Sequence, residues 1–393
     1  MSPKRGHEEK SSPESSGPAG FDAFFGNAHI VSALRGMLSS GRVPHALLFT
    51  GPRGIGKYTL ARMFAQAANC ERLKDNFCGE CDPCRRIGLL ADPRPLIEQG
   101  LAERGESADA ATVERVPLIL QTHPDVWVFV PDPIRLKSPV VRPVLHVGQL
   151  RAIQRAAYFR PTARRRVFIL DGADTMRRDY SNIFLKVLEE PPESATLILL
   201  APNPFVLLPT IRSRCIQFGF ASLEAEQVDQ VLREHTELDA AERRLAAELT
   251  EGSPGVAMEM DLRGAAELRL GVLAILENAA GSGSFGELFG RTAQLAKQRE
   301  IPFERVLDVF YSLLSDLLKL VWVPSERTLR NPTLRKQLEA LSRKMDPSWV
   351  AMAIGGLDRL YGRLRRNVNR QLGLDAVATS LAGRAAGSGQ PSW

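Results

Sequence analysis

At 393 residues, 44% hydrophobic and with a net charge of +6, the chain can bury two or three cores and is neither a disulfide-dense mini-domain nor a highly charged disordered polymer. No stretch approaches the roughly 18 uncharged apolar residues of a membrane span. The opening MSPKRGHEEKSSPESSGPAG has no apolar h-region, so the expected setting is the cytoplasm.

Residues 1–19, rich in Ser, Pro, Gly and charge, cannot bury enough apolar surface to offset ordering entropy and are expected to form a disordered tail. From 20 to 220, short apolar runs alternate with helical patterns: ALLFT at 46–50, DVWVFV at 125–130, RVFILD at 166–171, TLILLA at 196–201 and CIQFGF at 215–220. This alternation predicts an α/β domain with a parallel sheet covered by helices on both faces.

Directly after the first run comes GPRGIGKYT at 51–59, with the GxxxxGK spacing of a phosphate-binding loop. Gly51, Gly54 and Gly56 let backbone N–H groups turn toward one point, Lys57 adds a positive charge there, and the next helix aims its N-terminus at the same place. The residue after the lysine ordinarily gives a hydroxyl to Mg²⁺. Here it is Tyr58, whose phenol stands too far out, and Thr59 is rotated about 100° further round the helix. Asp171 ends a buried strand and suits a metal, but Gly172 stands where a glutamate would polarise the attacking water, with Asp174 as a possible substitute. Gly51, Gly54, Gly56, Lys57, Thr59 and Asp171 therefore outline a degenerate nucleotide site in which ATP and Mg²⁺ bind weakly or not at all.

Four of the five cysteines fall at Cys70, Cys78, Cys81 and Cys84. Two interlocked CxxC spacings and a fourth thiolate suit one tetrahedral ion, a structural zinc with no open position. Cys215, at the head of a predicted strand, reads as packing. The stretch 91–122 has three prolines and little periodicity, which predicts an inserted, partly mobile loop. His123 reads as structural, Arg164–Arg166 as a solvated edge before a strand, and Asn203 as a polar sensor of a γ-phosphate.

After Ala221 the strand signals stop. Residues 221–262 read as short helices ending in EGSPG, and 263–385 as longer amphipathic helices such as Val306–Val321, followed by a tail at 386–393. Residues 327–393 hold 12 Lys and Arg against 4 Asp and Glu, read as a solvated helix face, with nucleic acid or an acidic partner as the alternative.

The series VPHALLFTGPRGIGK, C-x7-CxxCxxC, THPD at 122–125, SNIFLKVLEEPP at 181–192 and LLPTIRSRC at 207–215 resembles the clamp-loader subunits of bacterial DNA polymerase III. The resemblance covers residues 21–260, and RRNVNRQLGLDAV at 365–377 extends it into the helical remainder. It implies an AAA+ P-loop domain over 20–220 with a zinc module at 70–84, a helical lid over 221–262 and a helical collar for oligomerisation over 263–385. Within that family, Tyr58, Gly172 and Gly255, the last standing where the ATPases tend to carry a phosphate-sensing arginine, favour the delta prime kind over the ATP-hydrolysing gamma or tau kind. A tau-like chain is also expected to run on past Trp393. The resemblance further implies that Ser213-Arg214-Cys215 projects Arg214 into the ATP site of a neighbouring subunit as an arginine finger in trans. Implied partners are gamma/tau and delta subunits, the sliding clamp and primed DNA. Two alternatives stay open: a gamma/tau-type ATPase in which Thr59 and Asp174 take over the lost roles, and a standalone zinc-stabilised DNA-binding module.

Overall fold

The computed structural model describes residues 20–105, 110–132, 143–297, 301–326, 328–363 and 369–385. The expected tails 1–19 and 386–393, residues 106–109 of the insertion and residues 365–368 of the RRNVNRQLGLDAV stretch lie outside the described residues. The chain divides into two units, Met1–Leu223 and Glu224–Trp393.

In the first unit, α1 (Ala28–Ser40), β1 (Ala46–Thr50), α2 (Lys57–Asn69), α3 (Asp82–Gly88), α4 (Arg94–Arg104) and α5 (Ala110–Arg115) precede β2 (Leu120–His123) and β3 (Val126–Phe129). Then follow α6 (Val147–Ala157), β4 (Arg166–Asp171), α7 (Arg178–Glu189), β5 (Ala195–Ala201), α8 (Pro209–Arg212) and β6 (Ile216–Gly219). The six strands form one sheet in the order β2-β3-β4-β5-β1-β6. Every pairing is parallel except β2 with β3. The central strands β1 and β5 are buried along their whole length, which is why their sequences read as unbroken apolar runs rather than alternating ones.

One face of the sheet packs Leu48, Phe168 and Leu170 against Ile153 of α6 and Phe184 and Val187 of α7. On α2, every residue from Met63 to Asn69 is buried; a helix enclosed on nearly all sides needs the small residues AQAA that this one has. The register pairs Thr50 with Ala201 and Leu200 with Asp171, so the carboxyl ends of β1, β5 and β4 lie side by side. Crevices at such strand ends are where open α/β sheets bind ligands.

The insertion departs from the loop expected of it. Its described part holds α4, α5 and β2. Pro93 is the N-cap of α4 and Pro95 sits in its first turn, where a missing N–H costs nothing. None of the residues of α4 is buried, so it shows no apolar periodicity.

In the second unit, α9 (Ala225–His235), α10 (Ala240–Leu249) and α11 (Pro254–Glu259) precede α12 (Leu262–Glu277), α13 (Phe285–Lys297), α14 (Phe303–Trp322), α15 (Arg335–Ser342), α16 (Pro347–Arg363) and α17 (Arg370–Ala385). No strand occurs among its described residues. The core gathers on α14, whose Leu307, Phe310, Leu314 and Leu317 follow helical spacing and are at most 3% exposed. Asp316, buried within the same helix, accepts from the backbone N–H of Arg330 (2.9 Å) and Asn331 (2.8 Å) and from Asn331 Nδ2 (2.9 Å), which pins the connection into α15. Among the described residues no helix is long and apolar enough to cross a membrane.

Candidate functional site

The loop between β1 and α2 takes the shape its glycines allow. Gly51, Gly54 and Gly56 all have positive φ. At Gly51 (φ 142°) a Cβ would lie 2.6 Å from the carbonyl oxygen of Phe220, so the close approach of the backbone just after β6 opposes any side chain there. Lys57 Nζ donates to the carbonyls of Gly51 and Pro52, both at 2.7 Å, which closes the loop on its own ammonium. Burial lowers the Lys57 pKa, opposed by the charges of Asp171 and Asp174. Burial likewise raises Asp171 and Asp174, with Lys57 opposing both. The fold thus brings Lys57, Asp171 and Asp174 into one electrostatic group at the carboxyl ends of the strands.

Tyr58 points elsewhere. Its hydroxyl donates to the carbonyl of Leu90 (2.7 Å), tying the first turn of α2 to the turn that follows α3, and burial raises its pKa. Thr59 is exposed. At Gly172 the backbone is left-handed (φ 74°), and a Cβ would lie 2.7 Å from Pro131 Cγ. A glutamate at 172 is therefore opposed by the backbone and by Pro131 as well as absent from the sequence. Asn203 is exposed, and its side chain accepts from Phe205 N (2.8 Å), capping the short turn Pro204–Val206.

The four cysteines converge. Their sulfur atoms all lie within 4.8 Å of one another, close to the roughly 3.8 Å separation that Zn–S bonds of about 2.3 Å impose on a tetrahedron. Cys70 caps the C-terminus of α2, Cys81 is the N-cap of α3 and Cys84 lies in its first turn, so two helices fix three of the ligands. Backbone N–H groups of Leu73 and Cys81 donate to the sulfurs of Cys70 (3.4 Å) and Cys78 (3.3 Å), an arrangement that favours thiolates. Burial alone would raise the Cys78 thiol, but the N–H groups of Cys81 and Glu80 and the neighbouring thiols bring it down to about 7. Burial raises Cys84. This donor set fits a structural zinc, which would cross-link α2 and α3 and leave no position for substrate. Gln66 Nε2 on α2 also donates to the carbonyl of Cys84 (2.8 Å), so helix and cluster are joined independently of a metal. Cys215, with its thiol pushed up to about 12 by burial, packs against the sheet core.

Arg214 stands at the other end of the sheet. Ile216 is in register with Leu47 near the start of β1, whereas Phe220 N donates to Thr50 O at its end (2.7 Å). The four residue steps from Ile216 to Phe220 cover roughly 13 Å at about 3.3 Å each, so Arg214 lies at the amino ends of the strands, away from its own phosphate loop. Its guanidinium donates through Nη2 to Glu189 Oε1 and through Nη1 to the carbonyl of Thr210, both at 2.9 Å. In the same connection Phe205 and Val206 are 77% and 55% exposed, with the Arg212 guanidinium 5.0 Å from the Phe205 ring centroid.

Arg164–Arg166 is only in part the solvated edge its charge run suggests: Arg164 is exposed, Arg165 half-buried and Arg166 buried. Arg166 is 8% exposed and ion-paired with the fully buried Asp125. Arg165 donates to Thr196 Oγ1 (3.0 Å), and Arg164 to the carbonyls of Leu73 and Glu71 in the loop between Cys70 and Cys78. Asp125 is the residue the sequence reading passed over; the THPD string already contained it beside His123, whose Nδ1 accepts from Asp125 N (3.1 Å) in a structural turn.

The profile of a family described as "DNA polymerase III, delta subunit" matches residues 26–224, just over half of the chain. The tau subunit of DNA polymerase III from Escherichia coli K12 is 31% identical over 244 residues, covering 60% of this chain and 31% of that protein. The tau/gamma subunit from Haemophilus influenzae is 32% identical over 218 residues, 55% of this chain and 26% of that protein. The chain thus spans less than a third of the length of these relatives. A solved gamma subunit-related protein from Thermotoga maritima aligns at 16% identity and a TM-score of 0.35, covering 90% of this chain and 99% of that one.

Proposed function

Because the chain belongs to the family described as DNA polymerase III, delta subunit, we propose that it is a clamp-loader subunit of the delta prime kind. In this reading it is a stator: it joins gamma/tau and delta subunits through a helical collar over 263–385, with a lid over 221–262, and helps them place the sliding clamp on primed DNA. It hydrolyses no ATP itself and lends Arg214 to the ATP site of a neighbouring subunit. Zinc held by Cys70, Cys78, Cys81 and Cys84 stiffens the nucleotide-binding-like domain.

The observation that carries the reading is the division between the two ends of the sheet. At the carboxyl ends, Tyr58 is turned toward Leu90 and the left-handed backbone at Gly172 opposes a polarising acid there, which supports a resident site poorly equipped to activate water. At the amino ends, Arg214 sits roughly 13 Å of strand away with its side chain 35% exposed, where a guanidinium serves another chain better than its own.

The test is a loader reconstituted with Arg214→Ala. Arginine fingers are worth roughly 10³–10⁵ in rate, about 4–7 kcal/mol at 1.36 kcal/mol per decade, so hydrolysis at that interface should nearly vanish while gel filtration shows normal assembly. Full DNA-stimulated hydrolysis and clamp loading by the assembled mutant complex would refute the role. A second reading, a gamma/tau-type ATPase, draws on the gamma and tau relatives and on the grouping of Lys57, Asp171 and Asp174. It requires ATP turnover by the purified chain that Lys57→Ala abolishes.

A further inference from the structure

We infer that Glu189 is a positioning residue for Arg214: its carboxylate and the Thr210 carbonyl hold the two terminal nitrogens of the guanidinium and leave its other N–H groups available to a phosphate. The inference rests on the trans role of Arg214 proposed above.

The geometry has three parts. First, the two holders engage different nitrogens, Nη2 at 2.9 Å and Nη1 at 2.9 Å, and a guanidinium has five N–H donors, so three remain for a phosphate without either hold being broken. Second, both holders stand on anchored elements. Thr210 lies beside Ile211, which is 1% exposed, and Glu189 ends α7 after Val187 and Leu188, buried at 1% and 2%. An arginine side chain has many rotamers, and restraining them from two rigid elements reduces what is lost when the group meets an anion. Third, Glu189 is in the wrong place for its own helix. It is the last residue of α7, where the macrodipole favours Lys or Arg and disfavours a carboxylate, and Glu190 follows directly. A residue that breaks a local rule is expected where another role selects it. The Arg214 side chain is 35% exposed and that of Glu189 50%, so the pair adds little to stability and its value lies in orientation.

The experiment uses the reconstituted loader with this chain as wild type, Glu189→Ala, Glu189→Gln and Arg214→Ala, and with Glu189→Ala combined with Arg214→Ala. Losing this half-exposed ion pair should slow the site roughly 2–5-fold. Glu189→Ala is therefore expected to bring DNA-stimulated hydrolysis part of the way to the Arg214→Ala value, with KM for ATP and assembly unchanged. Glu189→Gln, which keeps an oxygen acceptor, should retain more than half the wild-type rate. In the Arg214→Ala background, Glu189→Ala should change nothing further. Equal losses in both backgrounds, a full rate in Glu189→Ala, or a faster one would overturn the positioning role while Arg214→Ala remains defective. A full rate in Arg214→Ala would overturn the trans role, and this inference with it.

Discussion

Asp125 offers a sharp test of how the first unit is held together. Its buried carboxylate accepts from Thr162 Oγ1 (2.6 Å), Ala163 N (2.7 Å), and Arg166 Nη2 (2.8 Å) and Nε (3.3 Å), while its carbonyl accepts from Val167 N (2.8 Å) at the start of the β3–β4 pairing. Asp125→Ala leaves a guanidinium that is 8% exposed without its counter-charge. Removing one partner of a buried pair costs about 3–5 kcal/mol, and at about 2–4 °C per kcal/mol for a unit of this size the melting temperature should fall by roughly 6–20 °C. Replacing both partners, Asp125→Ala with Arg166→Met, should recover a good part of that loss, because no unpaired charge is then buried. Acid adds an independent check. Burial works to raise Asp125, but the hydrogen bonds from Thr162, Arg166 and Ala163 outweigh it and hold the group below the usual carboxylate range. A depressed pKa gives stability that is fully present above the unfolded value of about 3.9 and is lost as pH falls through the folded one. The gap in melting temperature between wild type and Asp125→Ala should thus narrow only below about pH 4. A fall of less than about 3 °C at neutral pH, or a double mutant no more stable than the single one, would show that the pair does not hold this register.

Two further outcomes concern the sites themselves. The chain purified under reducing, chelator-free conditions should hold about one zinc, and Cys84→Ala should abolish it; structural zinc contributes on the order of 10–16 kcal/mol in small peptides, so the loop 70–84 should become protease-sensitive while the sheet stays folded. Metal analysis showing no zinc would refute this. The isolated chain should hydrolyse ATP at background rate, and Gly172→Glu should fail to create turnover and should lower the melting temperature, since φ 74° and Pro131 oppose a side chain there; robust turnover by either protein would refute the reading.

The parts of the fold that were legible in the sequence are those fixed by local pattern. β1, β4 and β5 stand out because central parallel strands are apolar on both faces, and the phosphate loop and the cysteine cluster because their chemistry imposes spacing over a few residues. β2 escaped notice: LQTH is an edge strand with only its two end positions buried. α4 escaped because no apolar residue on it is buried; what it encloses is the Arg104 side chain, ion-paired with Asp132 (2.8 Å). The misreading of Arg166 has a different cause. A guanidinium is buried or solvated according to whether a carboxylate meets it, and here the carboxylate stands 41 residues earlier. The partners of Tyr58 and Arg214, 32 and 25 residues away, were hidden for the same reason.

Tyr58 and Gly172 also bear on the history of such a chain. A small hydroxyl at 58 would free the first turn of α2 from Leu90, on the segment directly behind the cysteine cluster. A glutamate at 172 would need a different backbone between Asp171 and the turn that follows. In the proposed reading either substitution alone would bring a structural loss and no catalysis, so a lineage acquiring hydrolysis would have to cross a fitness valley at two positions and reshape a loop as well. Two changes, each opposed by its own surroundings, work as a ratchet, and subunits of this build should diversify at their surfaces and partner contacts far more readily than they gain an engine.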